Sequence, residues 1–219
     1  MGERPSTTTV SAGGRGQGMR TVYAKQTEDT LTVYQAYLSA IADPALRAGT
    51  FVPPFKRSRM TWIKPSFLWM MYRSGWAEKP GQERVLAVEI TRRGFEWALR
   101  HASLSHYDGH THPTRDDWLA AKRASPVRIQ WDPERDITLQ PMERRAIQIG
   151  LSGPAVEGYV EEWICGIEDV TVLAKQVHTL VRAKRREEAA VMLPREEIYP
   201  LPTDIRARIG ADQAPEDDA

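Results

Sequence analysis

Residues 59–76, RMTWIKPSFLWMMYRSGW, carry three tryptophans together with Arg59, Lys64 and Arg73, and no acid interrupts them. This stretch constrains the fold more than any other. Burying aromatics of this size contributes roughly 2–3 kcal/mol each, so Phe67, Trp69 and Met70 are expected in a core. The cations resist that environment, because an unpaired interior charge costs several kcal/mol. Arg73, on a helix expected to be buried nearly all round, must therefore meet a carboxylate of the fold or face a cleft that receives an anion. Trp69 and Trp76, seven apart, fall near one stripe of a helix, and Phe67 through Tyr72 would bury that helix on most sides.

The charge around the segment is equally uneven. Thirty basic and 29 acidic residues leave a formal charge of +1 over 219 residues, yet Pro44 to Ala77 holds Arg47, Lys56, Arg57, Arg59, Lys64 and Arg73 and no acid. A local positive field of this kind suits a phosphate, a nucleotide or a nucleic acid, or is balanced by acids elsewhere in the fold. The apolar runs are too short for a membrane span. A single cysteine, Cys165, rules out an intramolecular disulfide and suits a reducing cytoplasm. Its place in an apolar strand predicts a core thiol. Residues 1–18 read as a disordered arm and 201–219 as a flexible acidic tail, leaving one domain over 19–200.

Periodicity predicts strands at 20–25, 31–37 and 59–63, and QERVLAVEI is the clearest of all. Further strands are expected at PVRIQW, RRAIQIGL and WICGIEDV. Helices are expected at 39–49, capped by Ser39 and stopped by Gly49, and at 65–74, with Pro65 as an early helical residue. Thr91 should cap TRRGFEWALRHA, and residues 171–193 should form one long amphipathic helix. The expected fold is α+β: a single domain of six or so short, mostly antiparallel strands with flanking helices.

Lys64, Ser66 and the free N–H groups of the helix that follows could form a pyrophosphate seat. The segment lacks the glycine cradle of a P-loop. His106, His110 and His112 with Asp108 carry metal-ligating groups, but their spacing fits no metal motif, and a solvent-exposed loop without metal is expected. Glu161 and Glu162 read most simply as an exposed helix end.

TWIKPSFLWMMYRSGWA, with VYQAY before it and QERVLAVEITRRGFEWAL and IQIGLSGPAVEGYVEEWI after it, resembles the domain-of-unknown-function family 4291. More distantly, the order of parts is similar to the ADP-ribosyltransferase superfamily. That likeness aligns Val33-Tyr34-Gln35, Thr61 through Ser66, and Glu161 or Glu162 with its three motif strands. It implies NAD as substrate and Glu162, with Glu161 second, as the carboxylate that stabilises an oxocarbenium-like centre. Gln35 would contact the ribose, departing from the His or Arg usual there. Tyr34, Tyr37 or Trp62 would stack on nicotinamide, and Arg59, Lys64 or Arg73 would neutralise pyrophosphate. The acceptor of ADP-ribose would be a nucleic acid or a protein. The alternatives are a non-catalytic RNA or single-stranded DNA module on the same basic, aromatic surface, or a scaffold whose cations pair with Glu89 and Glu96.

Overall fold

The computed structural model describes residues 18–213. The expected arm, apart from Gly18, and the last six residues of the expected tail lie outside the described residues. Within that span the chain is one α+β domain of nine strands, antiparallel but for one pair, and eight helices. Among the described residues no helix is long and apolar enough to cross a membrane.

Three strands build the first sheet. Strand β2 (Thr30–Tyr37) follows the short β1 (Tyr23–Ala24) and pairs antiparallel with β4 (Arg84–Thr91). On the far side of β4 lies β8 (Ile164–Asp169). The alternation of β2 decides what each face meets: Leu31 and Val33 join the main core, whereas Tyr34 packs with a second cluster. That second cluster belongs to two helices, α2 (Phe67–Ser74) and α6 (Thr171–Arg182). Helix α1 (Ser39–Ala48) leads out of β2 and ends at Gly49, whose φ of 70° is readily adopted only without a Cβ.

The second sheet has the order β3, β7, β6, β5. Here β3 is Thr61–Ile63, β5 is Ala102–Leu104, and β6 (Val127–Arg135) with β7 (Pro141–Leu151) forms a long hairpin. Helix α3 (Arg92–Arg100) connects β4 to β5, and α4 (Arg115–Ala124) connects β5 to β6. Beyond β7, α5 (Pro154–Gly158) runs into a π-helical turn, Tyr159–Trp163, that delivers the chain to β8. Gly94 of α3 makes room for that turn, since a Cβ there would lie 2.2 Å from the Trp163 ring. The two sheets touch at β2 and β3 through one bridge, Tyr34 to Lys64, with Tyr34 N donating to Lys64 O at 2.7 Å.

Several expectations need correction. Pro65 is not helical: Ser66 is the N-cap of α2, its Oγ accepting from Trp69 N at 3.1 Å. Ser39 is the first residue of α1 rather than its cap. Trp76 lies past the end of α2 with a φ of 57° and stacks on His178. The single long helix is two, α6 and α7 (Arg186–Val191), separated at Lys184 with a φ of 61°. Glu187 and Glu188 in the first turn of α7 favour a new helix start there. Cys165 is exposed on β8 rather than buried. The domain also continues past Pro200, for α8 (Thr203–Ile209) buries Ile205 and Ile209 in the main core.

Candidate functional site

Beyond the Tyr34–Lys64 bridge the two sheets are joined by side chains. Gln35, only 2% exposed, projects from β2 toward β3. Its Nε2 donates to Thr61 Oγ1 at 2.8 Å and to Tyr37 Oη at 2.9 Å, with Trp62 O at 3.4 Å. Its Oε1 accepts from Tyr159 Oη at 2.7 Å. Tyr37 Oη and Thr61 Oγ1 are 3.0 Å apart and close the network. Burial pushes the Tyr37 phenol up to about 12 and raises that of Tyr159 well above its ordinary value, so both stay neutral near pH 7. Phe51 braces the group, meeting the rings of Tyr37, Phe55 and Tyr159.

This network bounds a cleft of about 400 Å³ lined by the end of β2, the loop before β3 and β3 itself. Its rings are Tyr37, Phe55 and Trp62, and its cations are Lys56, Arg59 and Lys64. No carboxylate is among the residues that line it. Trp62 owes its position to Gly150 across the β3–β7 ladder, where a Cβ would stand 3.0 Å from the indole. Lys56 and Arg59 are exposed, on the loop that enters β3. Lys64 is 6% exposed, and its Nζ donates to Trp62 O at 3.3 Å. Neither Arg59 nor Lys64 is in an ion pair with any described residue. Desolvation, reinforced by the charge of Arg73 and opposed by Asp132, lowers the Lys64 ammonium to about 7.

A family model described as a domain of unknown function (DUF4291) matches residues 21–199. The chain belongs to this family. No curated protein matches it. The family match carries no activity with it and lends no support to the likeness to ADP-ribosyltransferases.

Of the residues singled out from sequence, the DUF4291 domain brings Gln35, Tyr37, Arg59, Thr61, Trp62 and Lys64 to one cleft. It separates the others. Tyr34 is buried against Phe67, at 5.4 Å between ring centroids, because its place on β2 turns it to the opposite face from Gln35. Arg73 is exposed on the last turn of α2 with no carboxylate partner among the described residues and does not line the cleft. Glu89 and Glu96 serve other partners: Thr30 donates to the first, and Arg100 and Tyr199 contact the second.

Ser66 and the start of α2 depart furthest from expectation. The Phe67 N–H points at Glu196 Oε1, 2.6 Å away, and Ser66 Oγ donates to Glu134 Oε1 at 3.0 Å. Two carboxyl groups of the chain itself occupy the position proposed for pyrophosphate. Burial raises both, and the neighbouring Glu134 adds to the rise of Glu196, which reaches about 8. Glu196 follows α7 by several residues, and no local pattern links it to Ser66.

Glu161 and Glu162 sit on the π-helical turn and line a different cavity of about 560 Å³ with Glu157, Trp97 and Trp163. Glu161 is paired with Arg57. Neither glutamate lines the cleft of Gln35 and Lys64, so the arrangement expected of a transferase, with carboxylate and ribose contact in one pocket, is absent from the described residues. Asp108 accepts from Arg20 at 2.6 Å, and among the described residues no group of three or more His, Cys, Asp or Glu is placed to hold a metal ion. Sequence reasoning missed Phe55, whose ring forms part of the wall, and the role of Lys56 at the mouth. The only signal for either lay in the acid-free run from Pro44 to Ala77.

Proposed function

We propose that the protein holds a nucleotide or dinucleotide, NAD being the expected one, in the cleft between β2 and β3. One observation carries the reading: three cations and three aromatic rings line a concave site that contains no acid. Flat, phosphorylated molecules are the ligands such a lining selects, because rings stack on rings while the positive field concentrates anions. Lys56 and Arg59 at the mouth are the phosphate contacts in this reading. Tyr37, Phe55 and Trp62 supply the stacking faces, and Gln35 with Thr61 offers hydrogen bonds at the base. Transfer of ADP-ribose would require in addition a carboxylate beside the ribose, and Glu162 belongs to the other cavity. The proposal is therefore binding, without the transfer step.

Thermal shift with NAD, ADP-ribose and simple mononucleotides tests it. A ligand at a hundred times its Kd raises apparent stability by about 2.7 kcal/mol. The Lys56→Ala/Arg59→Ala double variant alters exposed side chains only and should abolish the shift while keeping the unliganded Tm. An unmoved Tm with every nucleotide would overturn the reading. Steeply salt-dependent binding of RNA or single-stranded DNA, without any response to nucleotides, would replace it with the polynucleotide module.

A further inference from the structure

Lysine side chains ordinarily carry their ammonium group out to water or pair it with an acid. Lys64 does neither. Its backbone is held by the bridge to Tyr34, and the next residue is Pro65, so the side chain starts from a fixed position beneath the cleft. It is 6% exposed, it lines the cleft, and its Nζ has one hydrogen-bond acceptor, the Trp62 carbonyl at 3.3 Å. The same carbonyl lies 3.4 Å from Gln35 Nε2, so the amine adjoins the Gln35–Tyr37–Thr61 network.

The charged groups around Lys64 are mostly of its own sign. Arg73 on α2 opposes a second positive charge, and Lys56 and Arg59 on the loop before β3 line the same cleft. Asp132 on β6 is the acid that acts the other way, and it does so without an ion pair. Tyr37 on β2 stays neutral. A desolvated amine next to other cations keeps a substantial uncharged, nucleophilic fraction at neutral pH.

We propose that Lys64 is an imine-forming amine, and that among the phosphorylated ligands the cleft admits, those carrying an aldehyde or an open-chain sugar carbonyl, which NAD itself lacks, react with it. The inference rests on the anionic-ligand reading for its phosphate and on Lys64 alone for its carbon chemistry. In the step, Nζ donates its lone pair to the carbonyl carbon and a C–N bond forms, giving a carbinolamine. The former carbonyl oxygen takes up one proton from the amine and a second from solvent or a hydroxyl of the cleft, and leaves as water. The product is the imine, protonated on nitrogen while the site supplies a proton. No oxidant or further reactant is needed. The Tyr37 and Thr61 hydroxyls are the proton-carrying groups in the same cleft.

The test uses pyridoxal 5'-phosphate as a phosphate-bearing aldehyde and pyridoxal as its phosphate-free counterpart. The full chain is treated with each at pH 7.5, reduced with borohydride, and mapped by peptide mass spectrometry across its seven lysines. Lys64 is expected to be modified at least roughly tenfold faster than lysines of ordinary basicity. Its rate should level off above about pH 7, where the others are still rising. Lys56→Ala/Arg59→Ala should slow the phosphate-bearing probe at Lys64 by a larger factor than it slows pyridoxal, so the ratio of the two rates should fall toward one. Modification spread over the exposed lysines with Lys64 spared overturns the inference, whatever the nucleotide titrations give. Equal labelling of Lys64 by both probes keeps the amine chemistry and removes the phosphate requirement. Nucleotide-induced stabilisation without labelling at Lys64 leaves binding standing and removes the imine. These readouts need no variant at Lys64, so a folding defect there does not affect them.

Discussion

The four residues Lys64 to Phe67 separate two polar regions of opposite character. Toward β2 lies a cleft with three cations and no acid among its lining residues. At the start of α2 lie Glu134 and Glu196, accepting from Ser66 Oγ and the Phe67 N–H. Both regions desolvate ionisable groups, and in both the charged form is disfavoured: the Lys64 ammonium is lowered, the two carboxyls are raised. They differ in what completes them. The helix terminus takes its acceptors from β6 and the segment before β9 (Glu197–Ile198), so it is closed by the chain itself. The cleft has cations and no internal counterpart. An anion site is identified by the positive charge that the fold leaves without an acid, rather than by a helix N-terminus taken alone.

The largest expected effect tests whether the cleft is a rigid frame. Gln35→Leu removes the acceptor of Tyr159 and the donor to Tyr37 and Thr61, leaving the buried Tyr159 hydroxyl without a partner while Tyr37 and Thr61 keep each other. It should cost about 3 kcal/mol in urea denaturation. A loss below about 1 kcal/mol would show that the two sheets hold together without the network.

Lys64→Met comes next, at about 2 kcal/mol of stabilisation near pH 7, since a buried charge is replaced by an apolar chain of similar length. The sign with pH is specific. In the unfolded chain the amine holds its proton up to about 10.5, in the folded domain only to about 7. The destabilisation is complete below pH 7 and vanishes above 10.5, so wild-type stability gains a rising contribution between those limits. In the Met variant that rise should be missing from denaturation curves measured at successive pH values.

Glu196→Gln should run in the other pH direction with a smaller size, about 1 kcal/mol. Wild-type Glu196 binds its proton to about 8 when folded and to about 4.5 when unfolded. Its contribution therefore falls as pH rises from 4.5 to 8 and stays low above that. The Gln variant, which keeps a carbonyl for the Phe67 N–H, should be the more stable protein at pH 9. Equal stability there would mean that the carboxylate is well tolerated and that the contrast between the two regions is weaker than drawn. The smallest change is Arg73→Ala. Stability should move by less than about 0.5 kcal/mol, as befits an exposed side chain. The pH at which Lys64 labelling levels off should nevertheless move upward, because Arg73 helps to lower it.

Much of the site was legible where the signal was local. β2, β4 and the β6–β7 hairpin follow from alternation and β-branched content, and Thr91 caps α3 by the spacing a helix start requires. Arg59, Thr61, Trp62 and Lys64 lie within the stretch that the composition marks, whereas Gln35 and Tyr37 are singled out only through the likeness to ADP-ribosyltransferases. What failed was long-range. Tyr34 needed knowledge of which β2 face meets α2, and Ser66 needed the approach of Glu134 and Glu196, 68 and 130 positions away. Glu162 required the path of the π-helical turn, which carries it to the far cavity.

The order of residues alone determined that an acid-free, tryptophan-rich segment exists and that Phe67, Trp69 and Met70 belong in a core, because apolar transfer and local charge are properties of neighbours in the chain. Only the tertiary structure decided which cation meets an acid, which meets water and which is left in a cleft. Those outcomes depend on carboxylates brought in from distant segments and on how β2 and β3 meet around the cleft, and neither leaves a trace in local periodicity.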